Sequence, residues 1–144
     1  MNPGIQIKKV WQDDDLLELK IEVSDGSWYV STRVYVGRRQ LNEAVEKLVG
    51  LSVKVHGGLA DLRLGEFGPE YANGAFHARF HFANHGKLFI TCHLECDYFE
   101  FGKKTVAPEA VVFLHTEPAL LDRFVAAMQA ISPGGRDEAF LECI

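Results

Sequence analysis

His77, His93 and Glu95 are the residues whose types and spacing could do chemistry. Phe76, Ala78, Phe80 and Phe82 alternate with His77, Arg79 and His81, and Leu88, Ile90, Cys92, Leu94 and Cys96 alternate with Phe89, Thr91, His93 and Glu95. Period-two alternation marks half-buried strands. A two-residue turn at His85-Gly86 would pair Arg79 with Cys92 and mix the two faces. A three-residue loop, Asn84-His85-Gly86 with Gly86 left-handed, keeps the faces apart. It sets Phe82 opposite Leu88, Phe80 opposite Ile90, Ala78 opposite Cys92, His77 opposite His93, Arg79 opposite Thr91 and His81 opposite Phe89. Cross-strand Cβ atoms lie about 5 Å apart, so the two imidazoles could share one ion, with Glu95 as third ligand. Two histidines and a carboxylate form the open ligand set of catalytic zinc or iron. A water on that ion would be the nucleophile of a metal-dependent hydrolase, one alternative for this chain. His81 stands about 13 Å from His77 and cannot join. No HExxH or CxxC spacing supports the site, and Thr91 is the only evident neighbour to orient an imidazole. A sheet face is also too shallow for catalysis unless the loop over residues 65–74 folds across it. The expectation is therefore paired surface histidines, with no metal and no cofactor.

Other chemistry is weaker. Cys92 and His93 are consecutive on a strand and point to opposite faces, so they form no dyad. Cys92 and Cys96 lie about 13 Å apart if extended, too far for a disulfide. With Cys143 they make three cysteines, an odd number that suits buried, reduced thiols. No GxSxG, P-loop or GxGxxG occurs, and Gly57-Gly58 and Gly134-Gly135 are short turn signals. Asp13-Asp14-Asp15 is a turn-forming acid cluster. No residue is assigned a catalytic role, and a non-enzymatic protein is expected.

The same alternation points instead to a surface for a partner. The face away from the core displays His77, Arg79, His81, Phe89, Thr91, His93 and Glu95, and the strand from Trp28 to Val36 adds Tyr29, Arg33 and Tyr35 if its valines face inward. Tyr, Arg and Phe among neutral polar groups is hot-spot composition for protein interfaces. The partner is expected to be another protein, or a second copy packing the same face into a homodimer. Fifteen Lys+Arg against twenty Asp+Glu leave a net charge of −5. That balance suits a basic partner and, with only isolated basic pairs such as Lys8-Lys9, argues against nucleic acid. Ala110 to Leu114, as long as any uninterrupted apolar run in the chain, is too short for a bilayer, so no membrane is expected. No apolar leader follows Met1, so a cytoplasmic location is expected.

The elements that position these residues follow from periodicity. Ile5 to Trp11 reads as a strand, and Leu17, Leu19, Ile21 and Val23 alternate with Glu18, Lys20 and Glu22 in the next. Asp25-Gly26 turns the chain into Trp28 to Val36. Leu41, Ala44, Val45, Leu48 and Val49 then form a helical stripe that stops at Gly50. Strands return at Ala60 to Glu66, in the His77 and His93 pair, and through Ala110 to Leu114 beyond a hairpin near Gly102-Lys103. A second helix starts after Thr116 with Pro118 in its first turn, carries Leu120, Leu121, Phe124, Val125, Met128 and Ile131, and ends at Ser132-Pro133-Gly134-Gly135. The predicted fold is α+β: one domain over 1–144, with a twisted antiparallel sheet of about six or seven strands in the order βββ-α-ββββ-α and both helices on one face. Residues 133–144 are expected to dock weakly or to stay loose.

This order of elements resembles that of small uncharacterised bacterial α+β domains, some of them immunity-protein-like. The resemblance spans Leu16 to Ile131 through the strand pair ending at Val36, the helix Leu41 to Val49, the meander Ala60 to Glu95 and the closing helix Leu120 to Ile131. It implies a protein-binding module that neutralises a cognate toxin, and it carries over no site residue.

Overall fold

The computed structural model describes residues 1–83 and 86–144. Strands β1 (Gly4–Gln12), β2 (Leu16–Ser24) and β3 (Tyr29–Gly37) form an antiparallel meander. The turns between them are built by aspartates. Asp13 Oδ1 accepts the N–H groups of Asp15 and Leu16 at 2.8 and 2.7 Å, and Asp25 Oδ1 accepts those of Ser27 and Trp28, both at 2.8 Å. These backbone bonds hold both carboxyls below their ordinary range. Gly26 supplies the positive φ, +99°, of the second turn. The acid cluster at 13–15 is thus a hairpin turn.

A second meander contains β4 (Leu59–Leu64), β5 (Ala75–Phe82), β6 (Leu88–Glu95) and β9 (Glu109–Thr116), in that spatial order. Between β6 and β9 the chain makes a separate two-stranded ribbon, β7 (Phe99–Phe101) and β8 (Lys104–Val106). The β5–β6 register is the expected one: Phe82 faces Leu88, His77 faces His93, Arg79 faces Thr91 and His81 faces Phe89. Gly86 is left-handed at φ +73°, while Asn84 and His85 of the expected loop lie outside the described residues.

The class is α+β, with antiparallel strands throughout, but the strands form two four-stranded sheets and the ribbon rather than one sheet. The sheet breaks between β3 and β4. Helix α1 (Arg38–Glu46) and a 3-10 turn at Leu51–Val53 carry the chain away, so β4 begins a new sheet instead of pairing with β3. Hydrophobic periodicity reports the face of a strand but not its neighbour across a helix. β10 (Glu138–Glu142) pairs antiparallel with β1 and buries Ala139 and Leu141. Helix α2 (Pro118–Ile131) packs on β10 and touches α1. Both helices join the inner faces of both sheets in one core, whose largest side chains are Phe76, Phe80, Phe82 and Phe124. No helix among the described residues is long and apolar enough to cross a membrane.

The two sheets meet where β3 passes β6. Thr32 Oγ1 donates to the Glu95 carbonyl at 2.8 Å, and the Cys96 thiol points at the Ser31 carbonyl at 3.3 Å. Gly74 is wedged into this seam. A Cβ there would stand 2.1 Å from Thr32 Oγ1, 2.5 Å from the Arg33 carbonyl and 2.9 Å from the Glu95 carbonyl. Gly74→Ala is therefore expected to destabilise the fold by about 1–3 kcal/mol, the usual cost of overpacking, read as a lower urea midpoint at unchanged slope.

Candidate functional site

The outer face of the second sheet is laid out by the strand registers as three rows. Leu59, His81, Phe89 and His115 form the first, Asp61, Arg79, Thr91 and Phe113 the second, and Arg63, His77, His93 and Val111 the third. Their alternate neighbours Leu62, Ala78, Phe80, Ile90, Cys92, Val112 and Leu114 face the core, which forces this set outward. Four of the chain's six histidines lie here. So do four exposed apolar side chains: Phe113 at 70%, Val111 at 55%, Leu59 at 50% and Phe89 at 42% exposure. Leu59, Arg79, His81, Phe89 and Thr91 line a shallow hollow of about 390 Å³.

His77 and His93 are cross-strand partners, but each is held by a carboxylate of its own. His77 Nε2 lies 2.7 Å from Asp61 Oδ1, and His93 Nε2 lies 2.8 Å from Glu109 Oε1. The loop over 65–74 does fold onto this end of the face. Phe67 stacks on the His93 ring with centroids 4.4 Å apart. The Gly68 N–H donates to Glu95 Oε1 at 3.2 Å. Glu95 is therefore not displayed on the open face as expected; it is 4% exposed beneath the loop. Its burial is tolerated because its carboxylate and its carbonyl both have donors, Gly68 and Thr32. Among the described residues no three His, Cys, Asp or Glu side chains converge as metal ligands.

Asp61 also faces Arg79, whose Nε is 3.9 Å away. Burial pushes the Asp61 carboxyl up, but the hydrogen bond and charge of His77, with Arg79 and Arg63, outweigh it and leave the group below its ordinary range. The cysteines offer no nucleophile on this face. Burial pushes the Cys92 thiol far up and that of Cys143 up to about 12, and Cys96 belongs to the seam.

Tyr29, Arg33 and Tyr35 do not join the histidines. They stand on the outer face of the first sheet, where Tyr29 donates its hydroxyl hydrogen to Glu22 at 2.7 Å, Arg33 pairs with Glu18 at 3.6 Å and Tyr35 lies edge-on to Trp11. That hydrogen bond and burial raise the Tyr29 hydroxyl above its usual range. Tyr35 lines a cleft of about 260 Å³ with Arg63 and Phe67 of the second sheet and its loop. The alternation in β3 tells which side of the strand these residues occupy, but not that the sheet ends there.

Sequence reasoning missed Leu59, Phe67, Val111, Phe113 and His115. The run Ala110 to Leu114 is apolar at every position, so it has no period from which to choose a face. Phe67 lies in an aperiodic loop, and only its fold-back brings it to His93.

The Asp61–His77 pair generates a pH-dependent stability term. Because the folded Asp61 carboxyl sits below its unfolded value near 3.9, its contribution is present above that value and is lost as pH falls through the folded one. Asp61→Asn is expected to cost up to about 1 kcal/mol at pH 7 and nothing near pH 2, measured by urea unfolding at both pH values.

Comparison with known proteins gives no significant match to this chain: none with a family model, none with a curated protein and none with a solved structure.

Proposed function

We propose that this chain is a non-enzymatic protein-binding module and that it docks its partner on the outer face of the second sheet. One observation carries this reading: Leu59, Phe89, Val111 and Phe113 are exposed together on one face, beside Arg79 and around a shallow hollow. Side chains of this kind supply affinity when a partner excludes water from them. Exposed apolar groups gathered on one face have a cost in solubility that a plain solvated sheet avoids. His77 and His93, fixed by Asp61 and Glu109, form a polar rim at one end.

The finer reading is an immunity protein that neutralises a cognate toxin. Its support is the resemblance in element order and the net charge of −5, which steers a basic partner towards the chain. Arg33 and Tyr29 have no part in this surface, because ion pairing and hydrogen bonding occupy them on the other sheet.

The test is co-purification with the product of the adjacent gene, followed by calorimetric titration. Arg79→Glu and Phe89→Ala are each expected to weaken the complex about thirtyfold or more, the loss typical of a hot-spot residue. Tyr35→Ala is expected to leave it unchanged. Wild-type affinity in both face variants would place the site elsewhere.

A further inference from the structure

The registers show which backbone groups of the second sheet are spent and which are free. On β9 the Pro108 carbonyl accepts the Cys96 N–H at 2.8 Å, so the even-numbered residues that follow it turn their N–H and C=O towards β6. The odd-numbered residues Glu109, Val111, Phe113 and His115 turn theirs to the outer edge. The His115 carbonyl is taken there by the Ile144 N–H at 2.9 Å, which confirms the direction. Among the described residues no strand lies beyond β9, and no backbone partner meets Glu109, Val111 or Phe113 on that side.

This edge is unprotected in a way the opposite one is not. On β4 the bond from the Phe82 N–H to the Gly58 carbonyl, 2.9 Å, puts Leu59, Asp61 and Arg63 at the outer edge. Two of those three are charged, a common guard against strand addition. The β9 edge instead carries Val111 and Phe113, 55% and 70% exposed, with no lysine, proline or bulge between Glu109 and Phe113.

We propose that β9 pairs antiparallel with β9 of a second copy about a two-fold axis through Val111, joining the two outer faces into one continuous sheet. The edge is complementary to itself. Pro108 has no N–H to extend the ladder at one end, and Ile144 occupies the edge at His115 at the other. The free stretch is thus Glu109 to Phe113, with Val111 at its centre. A two-fold there sets Val111 against the partner's Val111 and Glu109 against the partner's Phe113, all pairs of outward-turned residues that can exchange both hydrogen bonds. No like charges oppose one another: the two Glu109 residues stand about 13 Å apart, and each carboxylate is already held by His93. The inference goes beyond the proposed docking face, because edge pairing leaves Leu59, Arg79 and Phe89 open.

A ladder this short buries little surface, so the dimer is expected to dissociate in the micromolar range. Sedimentation equilibrium from about 1 to 500 µM is expected to show the wild-type mass rising from 16.1 kDa towards twice that value. Val111→Lys and Val111→Pro should hold the chain at monomer mass at every concentration, with an unchanged far-ultraviolet circular dichroism spectrum. Leu59→Lys should dimerise like wild type. Val111→Cys should give an intermolecular 111–111 disulfide on mild oxidation, identified by peptide mass, since directly opposed Cα atoms lie about 5.5 Å apart. A wild-type chain that stays monomeric at the highest concentration overturns the proposal. So does a dimer that survives both Val111 variants or is broken by Leu59→Lys.

Discussion

The hydrogen bond from Thr32 Oγ1 to the Glu95 carbonyl joins two sheets that have no backbone ladder between them. Around it the chain is packed to backbone distance: Gly74 leaves no room for a methyl group, and the Cys96 thiol reaches the Ser31 carbonyl. Much else depends on this seam. It brings the inner faces of both sheets into one core. It also anchors the end of the loop over 65–74, whose other part carries Phe67 onto His93 and the Gly68 N–H onto Glu95. A second, smaller join at the far side, Thr116 Oγ1 to the Glu142 carbonyl at 2.6 Å, ties β9 to the end of β10. The helices fill the space between, and Arg38 of α1 donates to the Ser132 carbonyl at the end of α2.

The outer face of the second sheet combines two opposed tendencies. Two of its histidines are each held by a carboxylate, His77 by Asp61 and His93 by Glu109, which fixes the ring positions. Its apolar members have no such partners within the chain. Leu59 and Phe89 surround a hollow, and Val111 and Phe113 border an open strand edge. Water is a poor solvent for the second group and an adequate one for the first. On the outer face of the first sheet Lys8, Glu22, Glu18, Arg33 and the Tyr29 hydroxyl engage one another, while Trp11 and Tyr35 stand exposed edge-on beside them.

Most of the strands, the two helices and the register of the central hairpin were legible in the residues themselves. Side-chain direction on a strand has a period of two, so Phe76 to Phe82 and Leu88 to Leu94 each declare an inner face, and only one loop length makes those faces agree. The opposition of His77 and His93 follows from that alone. The turns at Asp13 and Asp25 were equally local, because an aspartate carboxylate caps the N–H groups two and three residues ahead. Helix α2 announced itself through its apolar stripe and Pro118.

What the tertiary structure decided was every relation that crosses an aperiodic segment. Tyr29, Arg33 and Tyr35 fell on a different sheet from the histidines because α1 and the turn after it separate β3 from β4, and no local pattern records which strand becomes a neighbour. Glu95 alternates correctly with its strand yet is buried, because a donor from residue 68 arrives over it. The outward turn of Val111 and Phe113 was hidden in a run apolar at every position and was settled only by pairing with β6. β10 became a strand because β1 had a free edge to receive it. Local sequence sets the period of each element through steric preferences of a few residues, whereas sheet membership, edge exposure and loop cover arise from burying many side chains at once, and that choice is made by the chain as a whole.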